Sequence, residues 1–109
     1  MKDKIYIDRI VKYGHKIGKY LENINSLEEL ESNDEKIDAI ILNLEQIGET
    51  AKKISEETKL RFPSIKWISI IGLRNIISHD YEGVKLSIIY DVSKSSIPTL
   101  IDQLKEIEF

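Results

Sequence analysis

Within the stretch GLRNIISHDYEGV, Gly72 to Val84, an arginine, an asparagine, a serine, a histidine and a tyrosine fall among isoleucines inside eight consecutive positions, Arg74 to Tyr81. Each brings a different capability. Arg74 carries a permanent positive charge and a planar fork of donors that suits an anion such as a phosphate. His79, with an ordinary imidazole pKa near ~6.5, can give or take a proton at neutral pH. Asn75 and Ser78 can orient a bound anion or the imidazole. Tyr81, with a phenol pKa near ~10, is a poor base but a usable hydroxyl nucleophile.

These groups must be held by a helix. On an ideal wheel with Arg74 at zero, advancing ~100° per residue, Ser78 lies at ~40°, Asn75 at ~100° and His79 at ~140°. Ile76, Leu73, Ile77 and Ile70 occupy the arc from ~200° to ~320°, so a polar face and a packing face separate. Ile71 and Ile68, at ~60° and ~120°, place apolar groups beside the polar cluster, as a subunit interface bordering a cleft requires. The same residues also fit plain packing: Arg74 paired with a carboxylate, Asn75 bonded to a helix terminus, and His79 with Asp80 capping a helix end.

The rest of the chain reads as further helices. A first runs from Asp3 to about Asn25, with apolar residues three or four apart. Ser26, with Glu29 as reciprocal partner, and Asn33 provide caps for a short helical turn and a reversal. A second helix is expected from Asp34 to about Lys59, ~40 Å long at 1.5 Å per residue, with Ile37, Ile40, Ile41, Leu44, Ile47, Ala51 and Ile54 as its stripe and Glu49 paired to Lys53 outside. It ends before Pro63. Ser64 is the expected cap of the third helix, and Gly83 supplies the turn after it. A fourth, from about Leu86, contains Pro98, which removes a backbone donor and should kink it. The predicted fold is all-α, an antiparallel up-and-down four-helix bundle with a short extra helical turn.

At 109 residues the chain is long enough for one domain, residues 1–109, and one hydrophobic core. With no cysteine and two histidines, neither a disulfide framework nor a zinc site of ordinary spacing is expected, and no cofactor is implied. A formal net charge of −3 argues against a general coat for DNA or RNA, so any nucleic-acid contact is local. The first residues lack the uninterrupted apolar run of a signal peptide, and no segment approaches a membrane span; a cytoplasmic protein is expected. His15 reads as a surface or interface histidine. Tyr6, Tyr13 and Tyr20, seven apart, read as packing residues, as does Trp67.

The stretch from Gly72 to Val84 resembles the signature of the HepT-like toxins of the HEPN superfamily, in which an arginine is followed after four residues by histidine, any residue and tyrosine. Arg74, His79 and Tyr81 match position for position. NLEQIGETAKKIS from Asn43 is similar to the family's second-helix segment, RFPSIKW to its linker into the third helix, and DRI at Asp8 to its opening helix.

The resemblance implies a homodimer in which the motif helices meet at a two-fold axis, with a metal-independent endoribonuclease site between them. Arg74 and His79 would be catalytic there, with Asn75 and Ser78 supporting them. It further implies the toxin of a type VII toxin–antitoxin pair, silenced when an MntA-like nucleotidyltransferase transfers AMP to Tyr81. The alternative is a catalytically weak HEPN interaction module that binds a nucleotidyltransferase partner or a nucleotide through the same motif; the acidic balance leans toward it.

Overall fold

A computed structural model describes residues 2–79 and 86–108; for residues 75–79 it describes the backbone alone. All regular structure among the described residues is helical. The elements are α1 (Lys2–Tyr20), α2 (Leu27–Glu31), α3 (Asp34–Lys52), α4 (Glu56–Arg61), α5 (Trp67–His79), α6 (Leu86–Asp91), a π-helical turn (Val92–Ser96) and α7 (Ile97–Lys105).

The caps act where the sequence places them. Ser26 Oγ accepts from the Glu29 N–H at 3.2 Å, and the Glu29 carboxylate accepts from the Asn25 N–H at 2.7 Å, so two orphan donors at the start of α2 are satisfied reciprocally. Asn33 Oδ1 accepts from the Lys36 N–H at 3.1 Å and opens α3. The stripe of α3 packs as expected: Ile40, Ile41, Leu44, Ile47, Ala51 and Ile54 are buried.

The second helix is shorter than the Asp34 to Lys59 span expected. α3 stops at Lys52, about 28 Å long, and Ser55, in extended backbone, caps a separate α4 by accepting from the Thr58 N–H. The cause lies at the other end of the chain. Asp3 of α1 accepts from the Ser55 N–H at 3.1 Å, the Ser55 hydroxyl at 2.6 Å and the Thr58 hydroxyl at 2.5 Å. These bonds take the Ser55 N–H away from the helical ladder and clamp the start of α1 to the end of α3, so the two helices run antiparallel.

Two other expectations are corrected. α5 begins at Trp67, so Ser64 lies in the preceding turn, where its carbonyl accepts from Gln103 Nε2 at 3.3 Å. Trp67 instead ties that turn down: it is buried, and its indole N–H donates to the Phe62 carbonyl at 3.1 Å. Pro98 lies near the start of α7, directly after the π-helical turn, in which the Ile97 N–H donates to the Val92 carbonyl, five residues back. The missing donor is thus absorbed by a local change of helical pitch.

The layers follow from these contacts. α3 packs against α1 on one side and α5 on the other, and α1 also packs against α7. The core is almost wholly aliphatic, with Ile10, Ile17, Leu30, Ile40, Leu44, Ile47 and Leu104 essentially closed to solvent. Tyr6, Tyr13 and Tyr20 pack against it from α1, as their spacing suggests, and His15 is exposed. Lys94 Nζ reaches the Ile24 carbonyl at 2.8 Å and joins the π-helical turn to the end of the α1 loop. Among the described residues no helix is long and apolar enough to cross a membrane.

Candidate active site

α3 and α5 approach most closely at Gly48. A Cβ built there would stand 2.8 Å from Arg74 Cβ, 3.0 Å from the Arg74 nitrogen and 3.1 Å from the Ile70 carbonyl oxygen. Only a residue without a side chain lets the helices meet at that distance. The arginine of the motif is therefore seated directly on α3.

The next residue, Glu49, takes the arginine's charge. Its Oε1 accepts from Arg74 Nε in an ion pair whose side chains are 36% and 35% exposed. Glu49 was expected to pair with Lys53 on its own helix; its carboxylate goes across the helix seam to Arg74. Sequence reading found the carboxylate and missed the partner, because the i, i+4 match to Lys53 is local and the contact to Arg74 is not. A carboxylate partner for Arg74 is also what the packing alternative anticipated.

The remaining site residues divide by helix face and by coverage. Ile70 is buried and Leu73 half-buried on the packing arc. On the opposite arc Ile68 is 89% exposed, and a Cβ at Gly72 would meet nothing within 4 Å, so the face of α5 leading to the motif is open along its first turns. The α5 backbone carries Asn75, Ser78 and His79 in helical register after Arg74. The orientation of those three side chains, and Tyr81 with Gly83, lie outside the described residues.

A cleft of about 350 Å³ runs between α5 and the stretch from the π-helical turn into α7, lined by Ser69, Ile70, Leu73, Ser96, Thr99 and Gln103 among others. It opens on the Leu73 side of α5, away from the arc that holds Arg74. The motif is not at the bottom of a cavity within one chain, as expected for a site that is completed by another molecule.

Against this geometry, the family model for HepT-like ribonucleases matches residues 10–107, nearly the whole chain. The chain belongs to the HepT-like ribonuclease family. Among relatives of this HepT-like chain, the protein named "Putative RNase MJ1380" from Methanocaldococcus jannaschii is 34% identical over 70 residues, 64% of this chain and 62% of the relative. "Putative RNase TTE0752" from Caldanaerobacter subterraneus subsp. tengcongensis is 36% identical over 69 residues, 63% of this chain and 62% of the relative. "Probable ribonuclease HepT" from Thermococcus cleftensis is 36% identical over 62 residues, 57% of this chain and 56% of the relative. The HepT-like chain thus spans about three fifths of the length of these curated relatives. No solved structure matches it significantly.

Proposed function

We propose that the chain is a metal-independent endoribonuclease toxin that works as a homodimer, cutting RNA in a cleft formed where two copies of α5 face one another. Membership of the HepT-like ribonuclease family is the observation that carries this reading. The half-exposed Arg74 and the open face of α5 beside it are consistent with such an interface. The fold that goes with it is an antiparallel four-helix bundle, and the setting is the cytoplasm.

The chemistry needs no metal if the RNA 2′-hydroxyl oxygen attacks the adjacent phosphorus, the P–O5′ bond breaks, and a 2′,3′-cyclic phosphate and a 5′-hydroxyl remain. One group must take the 2′ proton while another gives a proton to the leaving 5′ oxygen. One imidazole cannot do both in a single step, whereas a two-fold pair of His79 side chains can divide the work. Arg74 supplies a fixed positive charge to the phosphate as negative charge builds on its oxygens. Asn75 and Ser78 orient the phosphate or the imidazole. An MntA-like nucleotidyltransferase silences the site by transferring AMP to Tyr81.

The test is RNA cleavage by the purified chain in excess chelator, with the product ends identified. The wild type is expected to leave cyclic-phosphate ends. His79→Ala should slow the reaction by about 10²- to 10⁴-fold, and Arg74→Ala by about 10²- to 10³-fold. Cleavage at the wild-type rate in both variants, or none by the wild type, would sink the reading and leave a binding module. A particle mass of one chain in solution would remove the shared site.

A further inference from the structure

We infer that Glu49 is a positioning residue: its carboxylate, on the Nε edge of Arg74, holds the guanidinium plane in the orientation in which its Nη edge meets a phosphate. The inference rests on the ribonuclease reading above and adds to it a residue on a different helix from the motif.

Two independent constraints converge on Arg74, and both come from the dipeptide Gly48–Glu49. The first acts on the backbone. Arg74 Cβ and N lie so near the α3 backbone that a Cβ at Gly48 would fall 2.8 Å and 3.0 Å from them. The arginine's Cα therefore has one position relative to α3. The second acts at the far end of the side chain, where Glu49 Oε1 receives Nε–H. An arginine fixed at both its root and its neck has lost most of the rotamer freedom of its long stem before any substrate arrives.

The choice of edge matters. A guanidinium presents five N–H donors in a rigid plane, and a phosphate is taken with two parallel bonds from one edge. A carboxylate on Nε sets the direction of that plane without using the end formed by the two Nη groups. The partial exposure of both partners, 36% for Glu49 and 35% for Arg74, points the same way. An ion pair this open to water contributes little to folding, so its effect is on where the charge points.

A stability role and a braking role make different forecasts. If Glu49 restrained Arg74 from RNA by neutralising it, removing the carboxylate would raise affinity and rate. If it only stabilised the fold, its loss would lower the melting temperature and leave the kinetics of the folded protein unchanged.

The experiment uses the full-length chain as wild type, Glu49→Ala, Glu49→Gln, Arg74→Ala and the Glu49→Ala/Arg74→Ala double variant. Each has its melting temperature recorded, and kcat and KM are measured on one short RNA without divalent metal. Glu49→Ala should lose about 10- to 100-fold in kcat, the scale of a misdirected catalytic group, with KM changed by less than ~3-fold. Glu49→Gln keeps an oxygen that accepts from Nε–H, and should recover most of that loss. The double variant should be no slower than Arg74→Ala alone, because Glu49 acts only through the arginine. An unchanged or raised kcat in Glu49→Ala, a defect confined to KM, or a further loss in the double variant would overturn the assignment. Wild-type cleavage abolished by Arg74→Ala but indifferent to Glu49→Ala would overturn this inference and leave the ribonuclease reading intact. A wild type that does not cut RNA ends both.

Discussion

Gly48 on α3 and Arg74 on α5 touch backbone to backbone, with 2.8 Å between a Cβ built on the glycine and the arginine's own Cβ. The neighbours on the α5 side are main-chain atoms and a Cβ, so nothing flexible can move aside. Gly48→Ala should therefore destabilise the fold by about 1 to 3 kcal/mol and pull the arginine off its seat. Two other glycines calibrate the measurement. At Gly14 an added Cβ would meet the Ile101 Cδ1 at 2.6 Å, the end of a side chain that can swing away, so Gly14→Ala should be milder. At Gly18, in α1, nothing lies within 4 Å, and Gly18→Ala should gain about 0.5 to 1 kcal/mol from helix propensity. Urea unfolding of the three variants checks the order Gly48, Gly14, Gly18, and any other order counts against the close approach of α3 and α5.

Asp3 gives the fold an acid-sensitive clamp. Burial by itself would push its carboxyl pKa up, but the hydroxyls of Ser55 and Thr58, the Ser55 N–H and the charge of Lys59 together outweigh it and hold the group below the ordinary carboxylate value. A carboxyl whose pKa is lower folded than unfolded adds stability that is fully present above its unfolded value, near ~3.9, and fades as pH drops through the folded value. Asp3→Asn should cost ~2 kcal/mol at pH 7 by leaving hydroxyl donors without a charged acceptor. The gap between variant and wild type should narrow below about pH 4. Melting temperatures from pH 7 to pH 3 measure it, and a gap independent of pH would remove the charge from the explanation.

Local signals in the sequence carried the helix starts. Ser26 with Glu29, and Asn33 before Asp34, satisfy orphan N–H groups within four residues, so their effect can be read without knowing the fold. The break after Lys52 could not be read that way. Its cause is a carboxylate 52 positions upstream, and the run through Lys59 remains periodic across it. The same holds for the candidate site. Arg74, His79 and Tyr81 stand out by type and spacing along one segment, whereas Glu49 becomes visible as Arg74's partner only when α3 and α5 are brought together. Pro98 announced a disturbance, but whether a helix answers a missing donor by bending or by widening one turn depends on its packing, here against α1.

Ser93 offers a test of that widened turn. Its Oγ is buried, the residue being 2% exposed, and among the described residues it has no hydrogen-bond partner. A serine in an ordinary helix can bond the carbonyl one turn back, and the π-helical stretch takes Ser93 out of that arrangement. Removing an unsatisfied buried hydroxyl relieves a desolvation penalty, so Ser93→Ala should stabilise the protein by ~1 kcal/mol. A thermal scan that showed a loss instead would mean that the hydroxyl has a partner in solution.

The proposed silencing of the site by modification of Tyr81 makes a forecast that separates the phenol from catalysis. AMP transfer forms a bond between the phenolic oxygen and the α-phosphorus of ATP, with pyrophosphate leaving and the phenolic proton passing to solvent. The product places a bulky group and a negative charge two residues from His79, where each would obstruct and repel an RNA backbone. A phenol with a pKa near ~10 contributes little as a base at neutral pH, so Tyr81→Phe should cut RNA at close to the wild-type rate. Incubation with ATP and an MntA-like nucleotidyltransferase should add AMP to the wild type and stop its cleavage, while Tyr81→Phe stays unmodified and active. Mass spectrometry and the cleavage assay read the two halves independently. A phenylalanine variant that no longer cuts RNA would move Tyr81 into the chemistry, and one still silenced by the transferase would place the regulated hydroxyl elsewhere on the chain.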